Sequence, residues 1–97
     1  MPETYIIHFE KPVWGHAQHY CGSTKFDSET RFKEHLSGSG SRMCKVALMN
    51  KIPFSIAYTE KFETYKEAYR RERQLKKERK QRNYCRFCKV ETTILPC

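Results

Sequence analysis

Two short runs of β-branched and aromatic residues constrain this chain most: residues 4–10 (TYIIHFE) and residues 18–23 (QHYCGS). Pro12 and Gly15 break the pattern between them, so KPVWGHAQ reads as a turn or loop. A connection this short between neighbouring strands favours an antiparallel pair. Each run carries a tyrosine at a comparable place, Tyr5 in the first and Tyr20 in the second.

The rest of the chain reads as elements laid on that pair. Asp27 or Ser28 can cap a helix over 29–36, with Phe32 and Leu36 as an inward pair at i, i+4. SGSGS at 37–41 stops it, and five such residues make a loop rather than a domain linker. Residues 42–50 suggest a second short helix. Pro53 opens a third strand, PFSIAYTE, with Phe54, Ile56 and Tyr58 on one side by alternation. Thr64-x-x-Glu67 is a capping box that starts the longest helix, TYKEAYRRERQLKKERKQR. From Asn83 onward no helical period remains. The expectation is an α+β domain, order ββααβα, with a small three-stranded antiparallel sheet flanked by helices. It occupies residues 1–84, and 85–97 form a short cysteine-containing tail.

Charge narrows the class of partner. The formal net charge of +8 over 97 residues predicts a polyanion, most simply nucleic acid, bound with strong salt dependence. No run approaches the ~20 apolar residues of a membrane span, so no membrane partner is expected. The N-terminus lacks the basic start and apolar stretch of a secretion signal, which points to the cytoplasm. Five cysteines cannot all pair internally, and without export they read as thiols or metal ligands.

Three sets of side chains could carry chemistry. In the last helix the apolar stripe runs Tyr65, Ala68, Tyr69 and Leu75. Stepping by three or four from Tyr69 lands on Glu72, which therefore points inward, while Arg70, Arg71 and Arg73 fan outward or to the flanks. An inward carboxylate needs a partner. Spacing leaves two: a divalent cation, or an ordinary i, i+4 ion pair with Lys76. Arg31 and His35 are also i, i+4. They make either a phosphate clamp or a solvated helix face. Tyr5 and Tyr20 are ordinary core tyrosines on composition alone, and become proton acceptors only where a nearby cation lowers their pKa.

Taken together these segments resemble the GIY-YIG nuclease superfamily. The signature tripeptides correspond to Thr4-Tyr5-Ile6 and Tyr20-Cys21-Gly22. Arg31-Phe32-Lys33-Glu34-His35 looks like the family's arginine-and-histidine helix, and Ala68 to Lys76 like its metal-binding glutamate helix. Gly15-His16-Ala17-Gln18-His19-Tyr20 and Cys85-Arg86-Phe87-Cys88 are similar to small stand-alone bacterial or phage members. The chain departs from the pattern twice. Glu3-Thr4 stands where the first motif has glycine, and Cys21 replaces an aliphatic residue in the second.

The resemblance implies a metal-dependent endonuclease acting on nucleic acid, with DNA first and RNA still open. Its catalytic residues would be Tyr5, Tyr20, Arg31, His35 and Glu72. Mg²⁺ or Mn²⁺ would sit on Glu72. Tyr5, or Tyr20 in exchanged roles, would activate water, and Arg31 would neutralise charge on the phosphate. His35 would hydrogen-bond Tyr5 or the phosphate. Lys76, Arg73 and His19 would contact the nucleic acid. A catalytically silent nucleic-acid-binding module of the same fold is the rival reading. Cys85-x-x-Cys88 invites zinc, but one such pair leaves the ligand set incomplete. Oligomeric state is not encoded in any of these features.

Overall fold

The computed structural model describes residues 1–79 and 81–87. Strand β1 (Glu3–Phe9) is central, flanked by β2 (His19–Thr24) and β3 (Phe54–Lys61), and antiparallel to both. Between the first two strands the chain makes a tight loop, in which Val13 N–H and Ala17 N–H donate to Ala17 and Trp14 carbonyls and Gly15 takes a positive φ of 54°. Helices α1 (Ser28–Leu36), α2 (Arg42–Met49), α3 (Tyr65–Glu78) and the single-turn α4 (Gln81–Tyr84) complete the α+β order ββααβα, α4 being an added turn. Among the described residues no helix is long and apolar enough to cross a membrane.

The helices start where capping chemistry places them. Asp27 accepts the Thr30 N–H at 2.7 Å, Ser41 accepts the Cys44 N–H at 3.2 Å, and Thr64 accepts the Glu67 N–H at 3.3 Å. Each cap satisfies a backbone donor that has no partner inside the helix.

Strand alternation splits the core in two. Tyr5, Ile7 and Phe9 point to one face, where Met43, Cys44, Ala47, Ile52 and Phe54 close over them. Ile6 points to the other, with Cys21 and Leu75, and Tyr58 and Tyr84 cover that cluster. Each fully buried aliphatic residue of this kind contributes about 1.5–3 kcal/mol.

Several expectations need correcting. Leu36 is 48% exposed, so Phe32 alone of the α1 pair faces inward, against the edge of Phe54. Tyr58 lies on the opposite face from Phe54. The β1–β3 register shifts between Ile6 and Ile7, and that bulge inverts the alternation within β3. Tyr65 and Tyr69 are exposed and stack on one another, leaving Ala68 and Leu75 as the buried stripe of α3. Of the two places open to Arg71 it takes the flank, where its Nε donates to both oxygens of Glu60 at 3.2 and 3.1 Å. The last helix stops at Glu78 instead of running on. Arg79 adopts the left-handed conformation (φ 54°), and the chain turns back so that Tyr84 packs on Tyr58 and Cys85 is buried against Ala57. Nothing in KKERKQRNY signals that stop locally; tertiary packing imposes it.

The glycine absent from the first motif is not needed for the strand. Thr4 pairs regularly with Ser23 and Glu60, and its hydroxyl donates to the Ala68 carbonyl at 2.6 Å. Glu3 accepts from Ser28 Oγ at 3.0 Å.

Candidate active site

Tyr5 is buried in β1, directly opposite Gly22 of β2, and Tyr20 lies two residues further along β2 on the same face. Their ring centroids are 6.3 Å apart. Gly22 is what allows this approach: a Cβ there would stand 2.6 Å from the Tyr5 hydroxyl and 2.9 Å from the Tyr20 ring. The glycine of the second motif is thus a steric requirement of the two phenols.

His35 comes to the same place from α1. It is fully buried, with its ring edge-on to Tyr20 at 5.6 Å and its Nε2 2.8 Å from the Tyr5 hydroxyl. The tautomer follows from the other nitrogen. His35 Nδ1 accepts the Ser41 backbone N–H at 2.9 Å, so the ring proton sits on Nε2 and is donated to the Tyr5 oxygen. Burial, reinforced by the Arg31 charge, lowers the His35 pKa to about 4, so the ring is neutral at physiological pH. Gly40 is close-packed against this ring, and any Cβ on it would collide with His35 Nδ1.

Arg31, one turn before His35, is partly exposed and ion-paired with Glu34 at 3.4 Å. It also lies beside the Tyr5 hydroxyl. Burial pushes the Tyr5 pKa well up and Tyr20 adds to the rise, while the Arg31 guanidinium opposes both. Tyr20 is half-buried. Burial raises its pKa, Lys76 lowers it, and Glu72 raises it. Tyr20 therefore already feels the acid that stands on another helix.

Glu72 lies on α3, packed on the other face of the sheet, beside edge strand β2. Its side chain is only 13% exposed. Oε1 accepts the Ser23 hydroxyl at 2.6 Å and Oε2 meets Lys76 Nζ at 2.8 Å. Lys76 Nζ lies at the same time 5.9 Å from the centre of the Tyr20 ring. Ser23 and Lys76 thus link Glu72 to the strand and ring of the phenol site across one sheet edge. The donor set suits a hard cation such as Mg²⁺, which takes one or two carboxylates and completes its shell with waters and phosphate oxygens. Cys21, next to this acid, is no nucleophile, since burial pushes its thiol up to about 12.

Tyr5, Tyr20, Arg31 and His35 thus converge on one point, with Glu72 and Lys76 at its rim. Arg73 is exposed above the Tyr69 ring, and with Arg70, Gln74, Lys76 and Lys77 it lines a shallow basic depression on α3. His19 is elsewhere. It sits beside His8 on the α3 face, away from the phenols. Cys85 is buried, and Cys88 lies outside the described residues.

Three contributors escape a reading of the sequence. Ser23 reads only as the end of the second strand, yet its hydroxyl holds Glu72. Ser41 and Gly40 look like filler in a flexible loop, yet they orient and seat His35. A hydroxyl directly after the second tripeptide is the one signal that could have singled out Ser23.

A model of the GIY-YIG catalytic domain matches residues 1–85 of the chain. No curated protein and no solved structure matches it.

Proposed function

The chain belongs to the GIY-YIG family of nucleases, and on that premise we propose that it is a divalent-metal-dependent endonuclease hydrolysing phosphodiester bonds, with DNA as its first substrate class. The carrying observation is the convergence of two phenols, a guanidinium and a neutral imidazole around Gly22, with a half-sealed carboxylate across the β2 edge. When bound at Glu72, Mg²⁺ or Mn²⁺ would supply Lewis-acid charge at the scissile phosphate.

The chain's own residues do the rest. Tyr20 is the phenol open to water and Tyr5 the one sealed behind it, so Tyr20 is the better placed to take a proton from the attacking water. Lys76 and Arg31 favour its phenolate, and Glu72 is the charge that holds its proton on. Neutralising Glu72 therefore favours the Tyr20 phenolate, the form that can accept a proton. Tyr5 holds the arrangement in register, since its oxygen receives the His35 Nε2–H. Arg31 is partly exposed and offers donors where charge builds on the phosphate. Lys76, Arg73 and Arg70 place the nucleic-acid backbone, which sets position but not sequence.

Incubation of plasmid and branched DNA with Mg²⁺ or Mn²⁺, against a chelator control, tests the reading. Cleavage that needs the ion and Glu72 supports it. Salt-sensitive binding without cleavage under any of these ions would assign a silent binding module instead.

A further inference from the structure

The α3 face of the sheet carries a second cluster that the nuclease reading does not use. His8 is the last residue of β1 to pair with β2, His19 opens β2, and the two are cross-strand partners. Cys85 reaches them from the residue after α4. Their three ligand atoms, one nitrogen from each histidine and the Cys85 sulfur, all lie within 4.8 Å of one another. His8 and Cys85 are buried, and His19 is half-buried.

Two of the three edges match those of a tetrahedral ion. His8 Nδ1 is 3.4 Å from His19 Nε2 and 3.5 Å from Cys85 Sγ. With Zn–N near 2.0–2.1 Å and Zn–S near 2.3 Å, a tetrahedron has N···N edges of about 3.3 Å and N···S edges of about 3.5 Å. As a hydrogen bond, 3.4 Å between ring nitrogens is long. A single Nδ1 facing both a ring nitrogen and a thiol is better served by a shared cation than by one proton. Two imidazoles and a thiolate form a soft, borderline donor set that selects zinc over Mg²⁺.

We propose that His8, His19 and Cys85 bind a structural Zn²⁺ that fastens the end of the β1–β2 pair to the segment after α4. Three protein donors leave the fourth tetrahedral position to a further ligand. A chain of this size has a modest core, and a metal staple is one of the usual ways to reinforce it. The site is distinct from the Glu72 rim. Tyr20 directly follows His19 in β2, so the ion also anchors the strand that carries the phenol.

The test uses the untagged full chain, purified without chelator. Elemental analysis should find about one zinc per chain, lost in Cys85→Ser and in His19→Gln and kept in Glu72→Ala. Co²⁺ in place of zinc should give tetrahedral visible bands and a thiolate charge-transfer band in the near ultraviolet. Stripping the metal should lower Tm by roughly 10 °C or more. No zinc and no Co²⁺ uptake overturns the site. Full zinc in both variants, or a cobalt spectrum without a thiolate band, overturns the ligand assignment. The cobalt measurement on the unmutated protein decides the matter even where Cys85→Ser does not fold. An unchanged Tm after stripping overturns the fastening role.

Discussion

The two faces of the sheet are built from alternate residues of the same strands, yet they hold different kinds of chemistry. On the α1–α2 face, Tyr5 and Tyr20 meet a neutral His35 and a partly exposed Arg31, and the hydrogen bonds run to hydroxyl and ring nitrogen. On the α3–α4 face, one residue away along the backbone, Cys21 packs in an apolar cluster while His8, His19 and Cys85 bring soft ligand atoms together. Glu72 belongs by position to the second face, but it stands at the strand edge, where Ser23 and Lys76 reach it and Lys76 also lies near the Tyr20 ring of the first. A three-stranded sheet is narrow enough for a helix on one side to place an acid at the rim of a site on the other. That is the lesson of the comparison.

The first way to break it is Glu72→Ala. If the acid serves the phenol site, metal-dependent cleavage falls to background while salt-sensitive DNA binding persists; full cleavage in the variant rejects the edge-crossing role. Next is Arg31→Ala, which should cost ~10²–10³ in rate, comparable to removing one oxyanion donor. Its stability should barely change, because its ion pair with Glu34 is exposed. Single-turnover cleavage and urea unfolding read the two effects separately.

A third test is acid. Unfolded, His35 takes up a proton near pH 6.5, and in the folded chain only near 4. Between those values the unfolded state binds more protons, so stability falls as pH falls through this window and levels off below it. The loss is on the order of 3 kcal/mol. Urea titrations across the window should show the slope, and His35→Gln should remove it; an unchanged slope in that variant would place the titrating group elsewhere. Fourth, Gly22→Ala forces the Tyr5 hydroxyl and the Tyr20 ring aside, at about 1–3 kcal/mol of stability with loss of cleavage. A fully active, equally stable variant would mean that the phenols do not need their close approach. The smallest effect belongs to Leu36→Ser, expected within about 0.5 kcal/mol because the side chain is already exposed. A large loss there would mean that this end of α1 is covered by something else.

Much of this was legible beforehand because it depends on local rules. Strand alternation, the caps at Asp27 and Thr64, and the i, i+4 pairing of Arg31 with His35 follow from backbone geometry and nearest neighbours. So did the inward lean of Glu72. The failures share one cause. Leu36, Tyr58 and the end of α3 are legible only through period, and period says which residues share a side but not whether anything lies there. Leu36 has no element over it, the β1–β3 bulge moves Tyr58 to the other face, and packing of Tyr84 and Cys85 ends α3.

From its order of residues alone the protein was set to be a small basic α+β domain with two phenols on paired strands. Whether those phenols met His35 and an acid from a distant helix depended on how the helices docked. That is a matter of long-range packing: burial of Ile6, Cys21 and Leu75 between the sheet and α3 brings Glu72 to Ser23 at the β2 edge, and no local signal encodes that contact. The grouping of His8, His19 and Cys85 has the same origin, since two of its members lie at strand ends and the third arrives only when the chain folds back after α4.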